Sequence, residues 1–149
     1  MPLLNYLSAA VVFYLVAVAT AVVLFVLARP VFDLTRPLVF GSKRAVLARN
    51  YCVGVLQGAC TLLLFAMAIR RLRLEPAWAM LVLPIAVFLF NRLRHLTPSQ
   101  SDQITYAVGL QRDGIEFDIN FYRPFRLTEM LGQLTGIITT ACLLKLPPH

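Results

Sequence analysis

Few residues in this chain could do chemistry, and their spacing argues against most reactions. The carboxylates Asp113, Glu116 and Asp118 lie close together, and Glu116 and Asp118, two apart, would share one face of a strand. No His or Cys on that segment completes a metal-ligating set, so they read as a solvated face. His149 is terminal, and His95 follows Arg92 at the edge of an apolar run, which argues against paired histidine ligation of a haem. Cys52, Cys60 and Cys142 fall in or beside apolar runs and read as small apolar fillers. Cys52 and Cys60 would be roughly 12 Å apart along one helix, too far to bridge. No glycine-rich phosphate loop, nucleophile elbow or HExxH motif is present. The expectation is a chain with no catalytic residue, no metal and no cofactor.

The polar residues with a clearer use are those beside glycines. Gly54-Val55-Leu56-Gln57-Gly58 and Gly132-Gln133-Leu134-Thr135-Gly136 are both GxxxG motifs enclosing a glutamine. Glycines four apart share one helix face and let another backbone approach closely, while an amide can bond across the contact. Gly54, Gln57, Gly58, Gly132, Gln133 and Gly136 are therefore the candidate helix-packing residues, with Ala17 and Ala21 a weaker pair of the same kind.

The elements that must carry these residues are apolar. All 21 acidic and basic side chains lie outside four runs, Leu3–Ala28, Tyr51–Ile69, Pro76–Phe90 and Met130–Leu144. A charge at mid-bilayer costs several kcal/mol, so runs this clean read as membrane spans. Only 14% of the chain is charged, against about 25% in soluble domains. One membrane domain is expected over residues 1–149, all-α, with spans near 5–28, 51–69, 76–94 and 127–145. The last is expected to begin near Arg126, with Glu129 at its positive N-terminal end. The third is short and competes with a re-entrant hairpin. The first lacks a preceding Lys or Arg and reads as a retained helix rather than a secretory signal.

The net charge of +7 flanks these runs, which points to anionic lipid rather than nucleic acid. The candidate headgroup contacts are Arg29, Arg36, Lys43, Arg44, Arg49, Arg92, Arg94, Arg123 and Arg126. An Arg-Pro pair recurs at Arg29-Pro30, Arg36-Pro37 and Arg123-Pro124, where proline is expected to halt a helix and arginine to meet phosphate. With four spans, ten basic residues fall on the side of segments 29–50 and 91–126, against Arg70, Arg71, Arg73 and Lys145 on the other. This places both termini on the non-cytoplasmic side of a bacterial or organellar inner membrane.

Between the third and fourth runs the pattern switches to alternation. Ile104, Tyr106, Val108 and Leu110 alternate, as do Ile115, Phe117, Ile119 and Phe121, with Asp113-Gly114 between them. That is a β-hairpin signal, and pairing across it puts both apolar rows on one face. Tyr106, Val108, Leu110, Phe117, Ile119 and Phe121 are the expected partner-facing residues.

The layout of Arg44 and Arg49-Asn50 before the second run, and Arg92-Leu93-Arg94-His95 after the third, is similar to that of the membrane-associated eicosanoid and glutathione metabolism family. The resemblance implies trimers that bind glutathione and a lipophilic substrate between subunits. The chain departs from that pattern at Val53, where the family has Glu, and in its long segment before the last run. The expected function is a non-catalytic membrane subunit or assembly component of a larger complex, packing through its glycine faces against other membrane subunits or itself. The alternatives are a homo-oligomeric channel or lipid or small-molecule transporter lined by Gln57, Thr61, Gln133 and Thr135, and a glutathione- or lipid-handling membrane enzyme.

Overall fold

The computed structural model describes residues 2–72 and 79–144. They form five helices, α1 (Pro2–Val39), α2 (Lys43–Arg71), α3 (Ala79–Arg94), α4 (Gln100–Arg112) and α5 (Ile119–Leu143). Two of these, α1 and α2, are long and apolar enough to cross a membrane. The expected set of four spans and a hairpin is thereby corrected. α3 has 16 residues, about 24 Å of rise against a hydrocarbon core of about 30 Å. α5 is long enough at 25 residues, but it begins at Ile119, so Arg123, Arg126 and Glu129 ride on its first half. Glu129 sits within that helix, and the cap at its N-terminus is Asp118, whose carboxylate accepts from the Asn120 N–H at 2.9 Å. The expected starts and ends at 76–78 and 145 lie outside the described residues.

The prolines do not halt their helices. α1 runs through Pro30 and Pro37, and α5 through Pro124. Hydroxyls collect nearby carbonyls: Thr35 donates to Val31 at 2.7 Å and Thr128 donates to Pro124 at 2.6 Å. What ends α1 is Gly41, at φ 74, a left-handed conformation that costs glycine nothing. Ser42 then caps α2 by accepting from the Ala45 N–H.

The hairpin is also corrected: among the described residues there is no strand. Ser99 and Asp102 form a reciprocal capping box that starts a helix just upstream of the alternating stretch. Once helical, the segment buries Tyr106 and Leu110, four apart, and exposes Ile104 and Val108. Asp113-Gly114, with Gly114 at φ 69, closes α4 instead of turning a hairpin.

α1 and α2 are antiparallel, and α2 and α5 run parallel. Two apolar clusters hold them. At one end, Ala9 and Phe13 of α1 meet Leu62, Phe65 and Ile69 of α2 and Ile137 of α5, with Phe13 edge-on to Phe65 at 5.3 Å. At the other, Tyr106 and Leu110 of α4 pack with Val39, Val46, Phe121 and Tyr122. Tyr106 stands edge-on to Tyr122 at 5.1 Å and to Phe125 at 5.3 Å.

Candidate functional site

The two GxxxG faces lie against each other. A methyl group on Gly54 would fall on the carbonyl of Glu129, one on Gly58 on that of Gln133, one on Gly132 on that of Tyr51, and one on Gly136 on that of Val55. Each glycine thus receives a backbone carbonyl of the partner helix at a distance no other residue permits. Polar side chains run beside this seam. Asn50 donates to the Phe125 carbonyl at 3.0 Å, and Gln133 Nε2 donates to Gln57 Oε1 at 2.7 Å. The Tyr51 hydroxyl donates to Thr135 at 2.9 Å. Thr61 returns its hydroxyl to the Gln57 carbonyl at 2.7 Å. Gln57, Thr61 and Gln133 are buried between helices.

Apart from Arg70 and Arg71 in the last turn of α2, the basic residues of the described helices gather toward the end where α1 meets α2, α3 ends and α5 begins, in two different circumstances. Some are engaged within the chain. Arg49 makes a two-pronged ion pair with Asp113, both largely buried, and its guanidinium stacks 4.5 Å from the Phe32 ring. Gly41 N–H donates to the Asp113 carbonyl at 2.9 Å, so α1, α2 and α4 are tied at this one point. Lys43 pairs with Asp118 at 2.8 Å, and that hydrogen bond holds the Asp118 carboxyl below its ordinary value. Arg36 pairs with Asp33, and Arg29 lies 5.3 Å from the Phe25 ring. Others, Arg44, Arg94, Arg112 and Arg123, are exposed.

Between the end of α3, the start of α4 and the middle of α5 lies a cavity of about 220 Å³. Its charged wall is Arg92, Asp102, Arg126 and Glu129, with His95 and Gln133 completing the polar lining and Leu96 and Met130 the apolar part. Glu129 is shared: Arg126 donates to it at 3.2 Å and Arg92 lies 3.8 Å away. Arg126 also donates from Nε to the Tyr122 hydroxyl at 3.2 Å. Burial works against the Arg126 charge, but Tyr122 and Glu129 more than offset it and raise its pKa. The Ser99 hydroxyl, donating at 2.7 Å, holds Asp102 below the ordinary carboxylate range. The Tyr122 hydroxyl donates to the His95 carbonyl at 3.2 Å, which ties the end of α3 to α5.

No protein-family model, no curated protein and no solved structure matches this chain. Its chemistry therefore rests on the geometry. Among the described residues no group of three His, Cys, Asp or Glu could hold a metal. Of the six residues expected to face a partner from a hairpin, Tyr106, Leu110 and Phe121 are core, while Val108, Phe117 and Ile119 are exposed. His95, Asp102 and Glu129, which join Arg92 and Arg126 around the cavity, carry no local pattern that singles them out. They come from three separate segments and meet only in the folded chain. The Ser99-x-x-Asp102 capping box was the legible signal, and it points to the helix that brings Asp102 there.

Proposed function

We propose that this chain is a non-catalytic integral membrane subunit, an assembly or scaffolding component that acts by association with other membrane chains or with copies of itself. The observation that carries this reading is the surface of α1. Between Thr20 and Val39 no residue is buried, and Val22, Val23, Phe25, Val26, Leu27, Val31, Leu34 and Leu38 are all exposed. A mostly apolar helix half, broken by Arg29, Asp33 and Arg36 and left bare by its own chain, marks a lipid-facing or partner-facing surface. The glycine seam between α2 and α5 is occupied internally, so association falls to exposed apolar faces such as that of α1.

In this reading α1 and α2 cross an inner membrane, bacterial or organellar, as an antiparallel pair. The basic end holding Arg36, Lys43, Arg44 and Arg123 faces the cytoplasm or matrix and meets anionic lipid. The N-terminus of α1 lies on the opposite side. The exposed apolar row of Ile104, Val108, Phe117 and Ile119 at the same end suits the headgroup boundary.

Purification of the full chain from its native membrane in mild detergent, followed by native mass measurement, tests the association. A co-purifying chain or a defined homo-oligomer is expected. A lone, stable monomer overturns it.

A further inference from the structure

The cavity at the basic end carries charge of both signs and one unmet hydrogen bond. Arg92 and Arg126 stand against Asp102 and Glu129, so these four charges balance formally. Gln133 is 1% exposed and lines this cavity. Its Nε2 is committed to Gln57, and its Oε1 is buried with no hydrogen-bond partner. A buried acceptor left unpaired is unfavourable, so a donor group is favoured nearby. An anion without a hydroxyl meets the arginines but brings no donor to Gln133 or Glu129. A cation alone meets the carboxylates but not the arginines.

We propose that this cavity binds a phosphate monoester or diester that also carries an ammonium group, the chemistry of an ethanolamine phospholipid head. The phosphate lies toward Arg92 and Arg126, in keeping with the match of guanidinium to phosphate oxygens. The ammonium lies on the side of Gln133 and Glu129. A volume of about 220 Å³ has room for a headgroup. Leu96 and Met130 supply an apolar wall beside the polar one, as an acyl-bearing ligand needs.

This site is independent of what covers α1. It relies on the membrane reading only for the ligand's source, since this end of the bundle then meets the headgroup layer. The test uses the full chain in detergent. Binding is measured by calorimetry for dihexanoyl phosphatidylethanolamine, dihexanoyl phosphatidylglycerol, free phosphoethanolamine and inorganic phosphate. The ethanolamine lipid is expected to bind about tenfold tighter than the glycerol lipid, the size of one charge-assisted hydrogen bond. Gln133→Leu is expected to abolish that preference while phosphate-dependent binding remains. Glu129→Gln, which leaves the glycine seam untouched, is expected to do the same should Gln133→Leu fail to fold. Arg92→Gln is expected to weaken both lipids alike. Free phosphoethanolamine binding as tightly as the lipid supports the same site with a soluble ester as its ligand, and weaker binding supports the lipid. Equal affinity for the two lipids overturns the proposal, as does a preference that survives in every folded variant of Gln133 and Glu129. A chain that proves soluble without detergent would sink the membrane reading but leave the phosphoethanolamine measurement to decide the site.

Discussion

Gln133 donates its side-chain amide to Gln57 Oε1 at 2.7 Å across the parallel contact of α2 and α5, with both residues buried. A buried amide pair of this kind fixes the register of two helices that could otherwise slide along their small residues. Truncating one member leaves the other without its partner. Gln133→Leu should therefore destabilise the chain by about 1–3 kcal/mol. The double variant Gln57→Leu plus Gln133→Leu should cost less than the sum of the two singles. Thermal melts of all three in one detergent give the coupling, and strict additivity would show that the pair is energetically irrelevant.

Glycines in this chain should respond to alanine with opposite signs. At Gly58, Gly132 and Gly136 an added methyl meets the partner helix's backbone, which cannot rotate away, so each substitution should cost about 1–3 kcal/mol or more. At Gly109, on the exposed face of α4, nothing lies within 4 Å of the added carbon. Gly109→Ala should stabilise by about 0.5–1 kcal/mol through backbone entropy alone. Melting temperatures of the four variants decide this.

The Arg49–Asp113 pair joins α2 to the end of α4 with little solvent around it, at 14% and 11% side-chain exposure. Arg49→Met leaves a buried carboxylate unpaired, and a loss of about 3–5 kcal/mol is expected. Adding Asp113→Asn should recover part of it. Protease sensitivity of the 113–118 connection is a second readout, because its tether to the α1–α2 turn goes with the pair.

Acid should weaken the basic end specifically. Asp102 and Asp118 have carboxyls held below their ordinary value, by the Ser99 hydroxyl and by Lys43 respectively. Their contribution is present above the unfolded carboxylate value, about 3.9, and is lost as pH falls through the lower folded value. The melting temperature should drop below about pH 4, and Asp118→Asn should be less stable at neutral pH with a flatter acid slope. Tyr106 behaves oppositely: burial, with the Asp118 charge nearby, pushes its phenol up to about 12. Its contribution is kept below the ordinary value of about 10 and lost as pH rises toward 12. Ultraviolet titration should show a phenolate component near that value that disappears in Tyr106→Phe.

The proposed orientation places the Gly41–Ser42 turn on the cytoplasmic or matrix side. A cysteine introduced at Ser42, with the native cysteines replaced, should react with an impermeant maleimide only when that side is exposed in sealed vesicles. Labelling from the opposite side would reverse the assignment.

How much of this was legible beforehand depends on the range of the cause. The charge-free lengths of α1 and α2 are a property of composition, so their membrane-crossing capacity can be read along the chain. The 104–121 segment misleads because alternation is compatible with both periods over a few residues. Tyr106 and Leu110 satisfy a helix as well as a strand, and Asp-Gly ends a helix as readily as it turns a hairpin. The capping box at Ser99 decides between them, and it lies outside the alternating stretch. The Arg-Pro pairs mislead for a related reason: one proline is a local penalty, and the apolar length of α1 outweighs it.

Local spacing specifies what each helix face offers: glycines four apart with a glutamine between them on α2 and again on α5, and a long apolar run on α1. It carries no information on which faces meet. That Gly54 and Gly58 receive the carbonyls of Glu129 and Gln133, that Arg49 reaches Asp113, and that Arg92, Asp102 and Glu129 enclose one cavity all follow from long-range closure. Such contacts depend on the summed packing of segments separated by tens of residues, and no periodicity along the chain encodes that sum.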